Sequence, residues 1–182
     1  MTIKKKYNNV LVWLSKWLLY RYLNNHKRNP EIKSLKYAKK VGLTFIATSP
    51  AQLVVINKFI KELGLMGIQI FAVGYLPEKK PNEFFLSEKT INFFNDKELD
   101  WLYRLKNTEA IEFQNTEFDI LIDINGCDYY PMYLLLQKSK AKLKVGQFRE
   151  KNSPFDLMIN IKKTSNLQFY FEQVIHYLLK FN

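Results

Sequence analysis

The 182-residue chain has a single cysteine, Cys127. No intramolecular disulfide can form, which excludes a disulfide-stapled fold and fits a reducing cytoplasm. Glycine and proline number six each, too few for a collagen-like or low-complexity fibre. Long apolar runs are missing as well. A spanning helix needs about 20 mostly apolar residues, and the best candidate, Val10 to Leu23, is interrupted by Lys16 and Arg21. The polar run Asn24-Asn25-His26-Lys27-Arg28 follows it in place of a small-x-small cleavage site, so it does not read as a signal peptide. The expectation is a soluble or peripheral chain.

Catalytic signatures are equally scarce. Neither G-x-G-x-x-G nor G-x-x-x-x-G-K-[ST] occurs, so neither standard phosphate loop is present. The histidines are His26, in a basic segment, and His176, on the polar side of the last helix. Cys127 therefore has no evident activating base. Asp123 and Asp128 form the one candidate carboxylate pair, too few oxygens for a hard cation. No catalytic residue, metal ligand or cofactor is expected.

Acidic residues are nearly absent from one end of the chain. Net charge is +11. Eleven basic residues fall in the first 40 positions against Glu31 alone, leaving +10 there and +1 over the remaining 142. The chain thus reads as a basic helix and linker, residues 1–40, joined to a nearly neutral domain, 41–182. With 47% hydrophobic residues, that domain can fill one core.

Residues 7–25 have helical spacing, with Asn8 or Asn9 as cap and Val10, Leu14, Trp17, Leu18 and Arg21 along one face. Residues 26–40 read as a linker or short helix. From Val41 the pattern becomes strand–helix alternation. Strands are expected at 41–48, 68–75, 118–125, 142–146 and 155–161, the third a near-continuous apolar run typical of a central parallel strand. The Lys142–Gly146 segment alternates, so one of its faces is expected to be solvated. Ser49-Pro50-Ala51-Gln52 marks a helix start, with Ser49 as cap, proline in the first turn and Gln52 completing a capping box. Further helices are expected at 131–139 and 166–181. Residues 77–117 are the least readable, with Phe84–Leu86 a short strand or packed loop, 95–101 a helix start and 108–115 a short helix or turn. The fold class is α/β: a three-layer, Rossmann-like, mostly parallel sheet of about five strands behind a basic amphipathic helix. The segments 118–124 and 155–161 share F-D-x-x-I-x-I, as two buried strands entered by the same Asp turn would.

In parallel sheets ligands sit beyond the carboxyl ends of the strands, which makes Ser49, Gly74, Asn125 and Asp128 the candidate ligand-binding residues. The stronger signal is the N-terminal region. Lys4, Lys5, Lys6, Trp13, Lys16, Trp17, Arg21, Lys27 and Arg28 are the candidate contacts to an anionic surface. Aromatic residues among lysines suit a lipid interface; they equally suit RNA, with phosphate contacts and base stacking. A third reading packs the helix on its own domain or on a partner protein. A second cluster, Lys138, Lys140, Lys142, Lys144, Arg149 and Lys151, could extend an anionic contact. The expected function is a non-catalytic, cytoplasmic binding or adaptor protein, peripheral to the inner membrane or bound to a ribosome, RNA or protein complex.

At F-D-I-L-I-D-I-N, A-K-L-K-V-G-Q-F, F-D-L-M-I-N-I and the final E-Q-V-I-H-Y-L helix, the chain resembles the uncharacterised DUF6913 proteins of Bacteroidota. That resemblance implies a fold and a bacterial source but no site. Phe118–Asn125 and Lys142–Gly146 are also similar to the N-terminal half of heptosyltransferase-type glycosyltransferases. That likeness implies a half-domain binding a phosphate-bearing small ligand at the strand ends. The second, sugar-nucleotide-binding domain of those enzymes has no counterpart in this sequence.

Overall fold

The structure, a computed structural model, describes residues 7–76, 90–125, 129–150, 153–162 and 166–181. Helix α1 spans Asn9–Asn25. Strand β1 (Lys40–Ile46) leads into α2 (Pro50–Leu65), β2 (Gln69–Leu76) and β3 (Ile91–Asn95). After α3 (Thr108–Asn115) come β4 (Ile120–Asp123), α4 (Tyr130–Lys138), β5 (Leu143–Gln147), β6 (Leu157–Ile159) and α5 (Leu167–Leu179).

Among the described residues six strands form one sheet in the order β3-β2-β1-β4-β5-β6, and every neighbouring pair is parallel. The chain builds outward from β1 on one side, then crosses to β4 and builds outward on the other. This is the doubly wound arrangement, with its switch point between β1 and β4. One core face packs Ile56, Phe59 and Leu63 of α2 with Phe171, Val174 and Leu178 of α5. The Phe59 and Phe171 rings stack there at 3.8 Å. The other face packs Ala110 and Phe113 of α3 with Met132, Leu135 and Leu136 of α4. The result is the expected three-layer α/β architecture.

Three expectations need correction. The sheet has a sixth strand, β3, where the sequence showed none; its I-N-F-F-N run is short, lies on the sheet edge and lacks alternation. The following Asn95 does start a helix, but only the single 3₁₀ turn Asp96–Glu98, held by a capping box between Asn95 and Glu98. The second correction concerns β5, where only Lys142, just before the strand, reaches solvent, because Lys144 on the same face is only 3% exposed. The third concerns α1, whose expected single stripe is divided: Val10, Trp17 and Arg21 are exposed, whereas Leu14 and Leu18 are half-buried toward the domain. The proposed strand at Phe84–Leu86 lies outside the described residues.

Residues 26–40 run across the amino ends of the strands rather than hanging free. A 3₁₀ turn at Leu35–Tyr37 places Leu35, with Ala38, in the core beside α5. The two F-D segments explain how this stretch is held. The Asp119 carboxylate accepts the backbone N–H groups of Lys39 and Lys40 at 2.7 and 3.1 Å and the Lys33 ammonium at 2.6 Å. The Asp156 carboxylate accepts the Lys144 N–H at 2.8 Å and the Arg28 guanidinium at 2.5 Å. Each aspartate thus ties the neighbouring strand to one basic residue of 26–40. Each preceding phenylalanine lies over a glycine of that same strand. A Cβ on Gly42 would stand 2.9 Å from the Phe118 ring, and one on Gly146 would stand 2.3 Å from the Phe155 ring. The shared motif is therefore one local solution used twice.

Candidate functional site

Helix α1 is fixed to the domain along one side and bare along the other. Asn8 caps it, its side chain accepting from Val10 N–H at 3.0 Å. Just before the helix, the Tyr7 ring meets those of Tyr103, Tyr129 and Tyr130. Further along, the Ser15 hydroxyl donates to the Leu102 carbonyl at 3.0 Å, and Leu19 is buried. Residues 15 and 19 stand one turn apart on a single face. The opposite face carries Val10, Trp13, Trp17 and Tyr20 at 3–4–3 spacing, exposed by 71%, 67%, 48% and 67%. Lys16 flanks this stripe on one side and Arg21 on the other, both exposed, with the Arg21 guanidinium 5.8 Å from the Trp17 ring centre. Among the described residues no helix is long and apolar enough to cross a membrane.

A cleft of about 800 Å³ opens where the end of α1 meets the amino ends of β4 and β5. Its cations are Lys27, Arg28, Lys138, Lys140, Lys142 and Lys144, and its carboxylates are Glu117 and Asp156. Arg28 is a strut: besides Asp156 it donates to the Ala141 and Lys142 carbonyls, each at 2.9 Å. Lys142 pairs with Glu31 at 3.3 Å. Lys144 reaches inward and donates to the Leu136 and Gln137 carbonyls at 2.6 and 3.2 Å, capping the negative end of α4. Burial, reinforced by Arg28, pulls the Lys144 ammonium down to about 7, with Asp156 opposing. Burial likewise lowers Lys138, with Arg104 adding to it. The Tyr22 ring stacks with His26 at 4.2 Å, and the Lys138 ammonium lies 5.3 Å from its centre.

The candidate residues at the strand carboxyl ends are occupied by the fold. Ser49 caps α2, accepting from Gln52 N–H at 3.2 Å, and the Gln52 side chain turns back to the Thr48 N–H and hydroxyl. Asn125 accepts the Ile46 N–H at 2.7 Å, bridging β4 to β1 across the switch point. Gly74 lies inside the sheet, where a Cβ would meet Phe93 at 2.7 Å and Phe45 at 2.8 Å. Asp123 is buried and accepts the Thr44 hydroxyl at 2.7 Å. Asp128 and Cys127 lie outside the described residues, as do Lys4, Lys5 and Lys6. The hollow beside Asn125 is only about 210 Å³. Among the described residues no group of three metal-ligating side chains comes together.

Residues 14–181 match a family of unknown function, DUF6913. The chain belongs to that family. Neither a curated protein nor a solved structure gives a significant match.

In this DUF6913 chain the predicted surface contacts divide by geometry. Trp13, Lys16, Trp17 and Arg21 share the outward face of α1, Lys27 is exposed at the cleft, and Arg28 is bound to the domain. The cleft itself was hidden in the sequence. The lysines at 138, 140, 142 and 144 stood out as a cluster. What could not be read was that the chain folds residues 22–28 against them. The signal that could have shown it is Asp156, whose F-D turn repeats that of Asp119 and so needs a basic partner from residues 26–40.

Proposed function

We propose that the protein is a non-catalytic, cytoplasmic binding protein that docks on an anionic membrane surface through the outward face of α1. The observation that carries this reading is the exposed stripe of Val10, Trp13, Trp17 and Tyr20 between Lys16 and Arg21, on a helix already anchored by its other side. Tryptophan and tyrosine favour the membrane–water boundary because each has an apolar ring and a polar tip. Flanking cations then meet the headgroups, each contributing about 1 kcal/mol near an anionic surface. Residues 1–30 contain no acidic side chain that would oppose the contact. A helix of this kind lies in the interface without spanning it.

Flotation with vesicles tests the reading. The full chain should float with vesicles containing anionic phosphatidylglycerol and stay behind with neutral phosphatidylcholine, after nuclease treatment to remove RNA. W13S/W17S should lose most of the association. Equal recovery of wild type and W13S/W17S, or loss of recovery on nuclease treatment alone, would contradict it. Point substitutions suit this test better than deletion of residues 1–40, which would also remove Leu35 and Ala38 from the core.

A further inference from the structure

We propose that the cleft between the end of α1, the end of α4 and the turn into β6 binds the phosphate chain of an oligophosphate. This goes beyond the membrane reading and does not depend on it, since the cleft lies on the inward side of α1 and the aromatic stripe on the outward side.

The cleft gathers six cationic side chains around a concavity with two carboxylates. One of these, Asp156, is fully engaged: one oxygen accepts from Arg28 and the other from the Lys144 backbone. Lys27, Lys138 and Lys140 have no carboxylate within ion-pair distance among the described residues. Crowded like charges in a partly desolvated wall cost free energy that a multivalent anion relieves. Arg28 is half-buried and Lys144 buried, and both are held by carbonyl groups. Arg28 supplies positive potential from a fixed position, while Lys27 and Lys140 stand at the rim and are free to close on a ligand.

The volume leaves room for more than a single phosphate. About 800 Å³ lies in the upper part of the range for pockets that enclose a small organic ligand. The aromatic lining disfavours a stacked base, because Tyr22 already carries the His26 ring and the Lys138 ammonium and Phe155 packs over Gly146. Several linked phosphoryl groups, recognised by charge and without a stacked ring, fit what remains. The chain could be a free polyphosphate or the tail of a nucleotide.

Isothermal titration calorimetry of the full chain in low salt, without lipid, tests the proposal. Sodium tripolyphosphate should bind saturably and at least tenfold more tightly than orthophosphate. Adenosine triphosphate should bind within a few-fold of tripolyphosphate, since the base adds no contact. K27E/K140E, both rim residues, should weaken binding at least tenfold while keeping the wild-type thermal midpoint without ligand. K58E/K61E, with the same change in net charge on the exposed side of α2, should stay within twofold of wild type. Absence of saturation, or equal weakening by K58E/K61E and K27E/K140E, would overturn the site. A nucleotide binding tenfold more tightly than tripolyphosphate would overturn the phosphate-only recognition. A vesicle result of either sign leaves these outcomes unchanged.

Discussion

The Arg28 guanidinium and the Asp156 carboxylate meet at 2.5 Å across 128 residues of sequence. The contact fixes the chain leaving α1 to the turn that starts β6. Because the same guanidinium serves the Ala141 and Lys142 carbonyls, it is worth more than an ordinary surface pair of about 0–1 kcal/mol. Arg28→Ala should cost about 2 kcal/mol, in the range of hydrogen bonds to charged groups. Arg28→Lys should recover less than half of that, since one ammonium cannot span three acceptors. Urea unfolding followed by circular dichroism checks both values.

A second prediction concerns the phenylalanine–glycine contact beneath the same turn. Gly146→Ala should cost about 2 kcal/mol through overpacking against the Phe155 ring. In a Phe155→Ala background the same substitution should cost little, because the ring it strikes is gone. A double-mutant cycle in urea reads the coupling directly. Equal cost in both backgrounds would place the strain elsewhere.

These two contacts also show what the sequence made legible. The repeated F-D-x-x-I-x-I pointed to two strands entered by one kind of turn, and five of the six strands follow from apolar runs or alternation. The helix start at Ser49-Pro50 was equally readable, since cap and proline are local, although Gln52 accepts from Thr48 and not from the N–H of the cap. What escaped reading was non-local. Lys144 looked solvent-facing because alternation reports only which side of the strand a residue takes, not whether a helix end covers that side. On α1, every face carries apolar residues, so periodicity could not choose between Ser15 with Leu19 and Val10 with Trp17. Ser15 takes the inward face because its small hydroxyl reaches the Leu102 carbonyl. The ligand residues at the strand ends were chosen from topology alone, and Ser49, Gly74 and Asn125 all serve local packing or hydrogen bonding.

The third prediction is a pH dependence. Lys144 titrates at about 7 in the folded chain and near its ordinary 10.5 when unfolded. Between those values the unfolded chain holds the extra proton, so stability rises with pH. Below about pH 7 both states are protonated and the burial penalty is fully present. The two carbonyl acceptors of the Lys144 ammonium favour its charged form and moderate the effect. Wild type should therefore gain on the order of 1–3 kcal/mol between about pH 7 and 9.5, within the limit of about 1.4 kcal/mol per pH unit for one group. Above that, the phenols of Tyr75 and Tyr129, raised by burial, act in the opposite sense. Lys144→Met should flatten most of the slope and change stability at pH 7 by about 1 kcal/mol or less, as for other apolar replacements of buried charges. Chemical unfolding at a series of pH values provides the comparison.

The central claim is that the bare face of α1 enters a lipid interface. The described tryptophans are Trp13 and Trp17 on that face and Trp101, which is 62% exposed elsewhere. In a Trp101→Phe variant, fluorescence reports the α1 stripe alone. Titration with phosphatidylglycerol vesicles carrying brominated acyl chains is the most direct test. The predicted result is a blue shift of the emission with strong quenching, both reversed by high salt. An emission maximum and intensity that stay unchanged at saturating lipid would contradict the account.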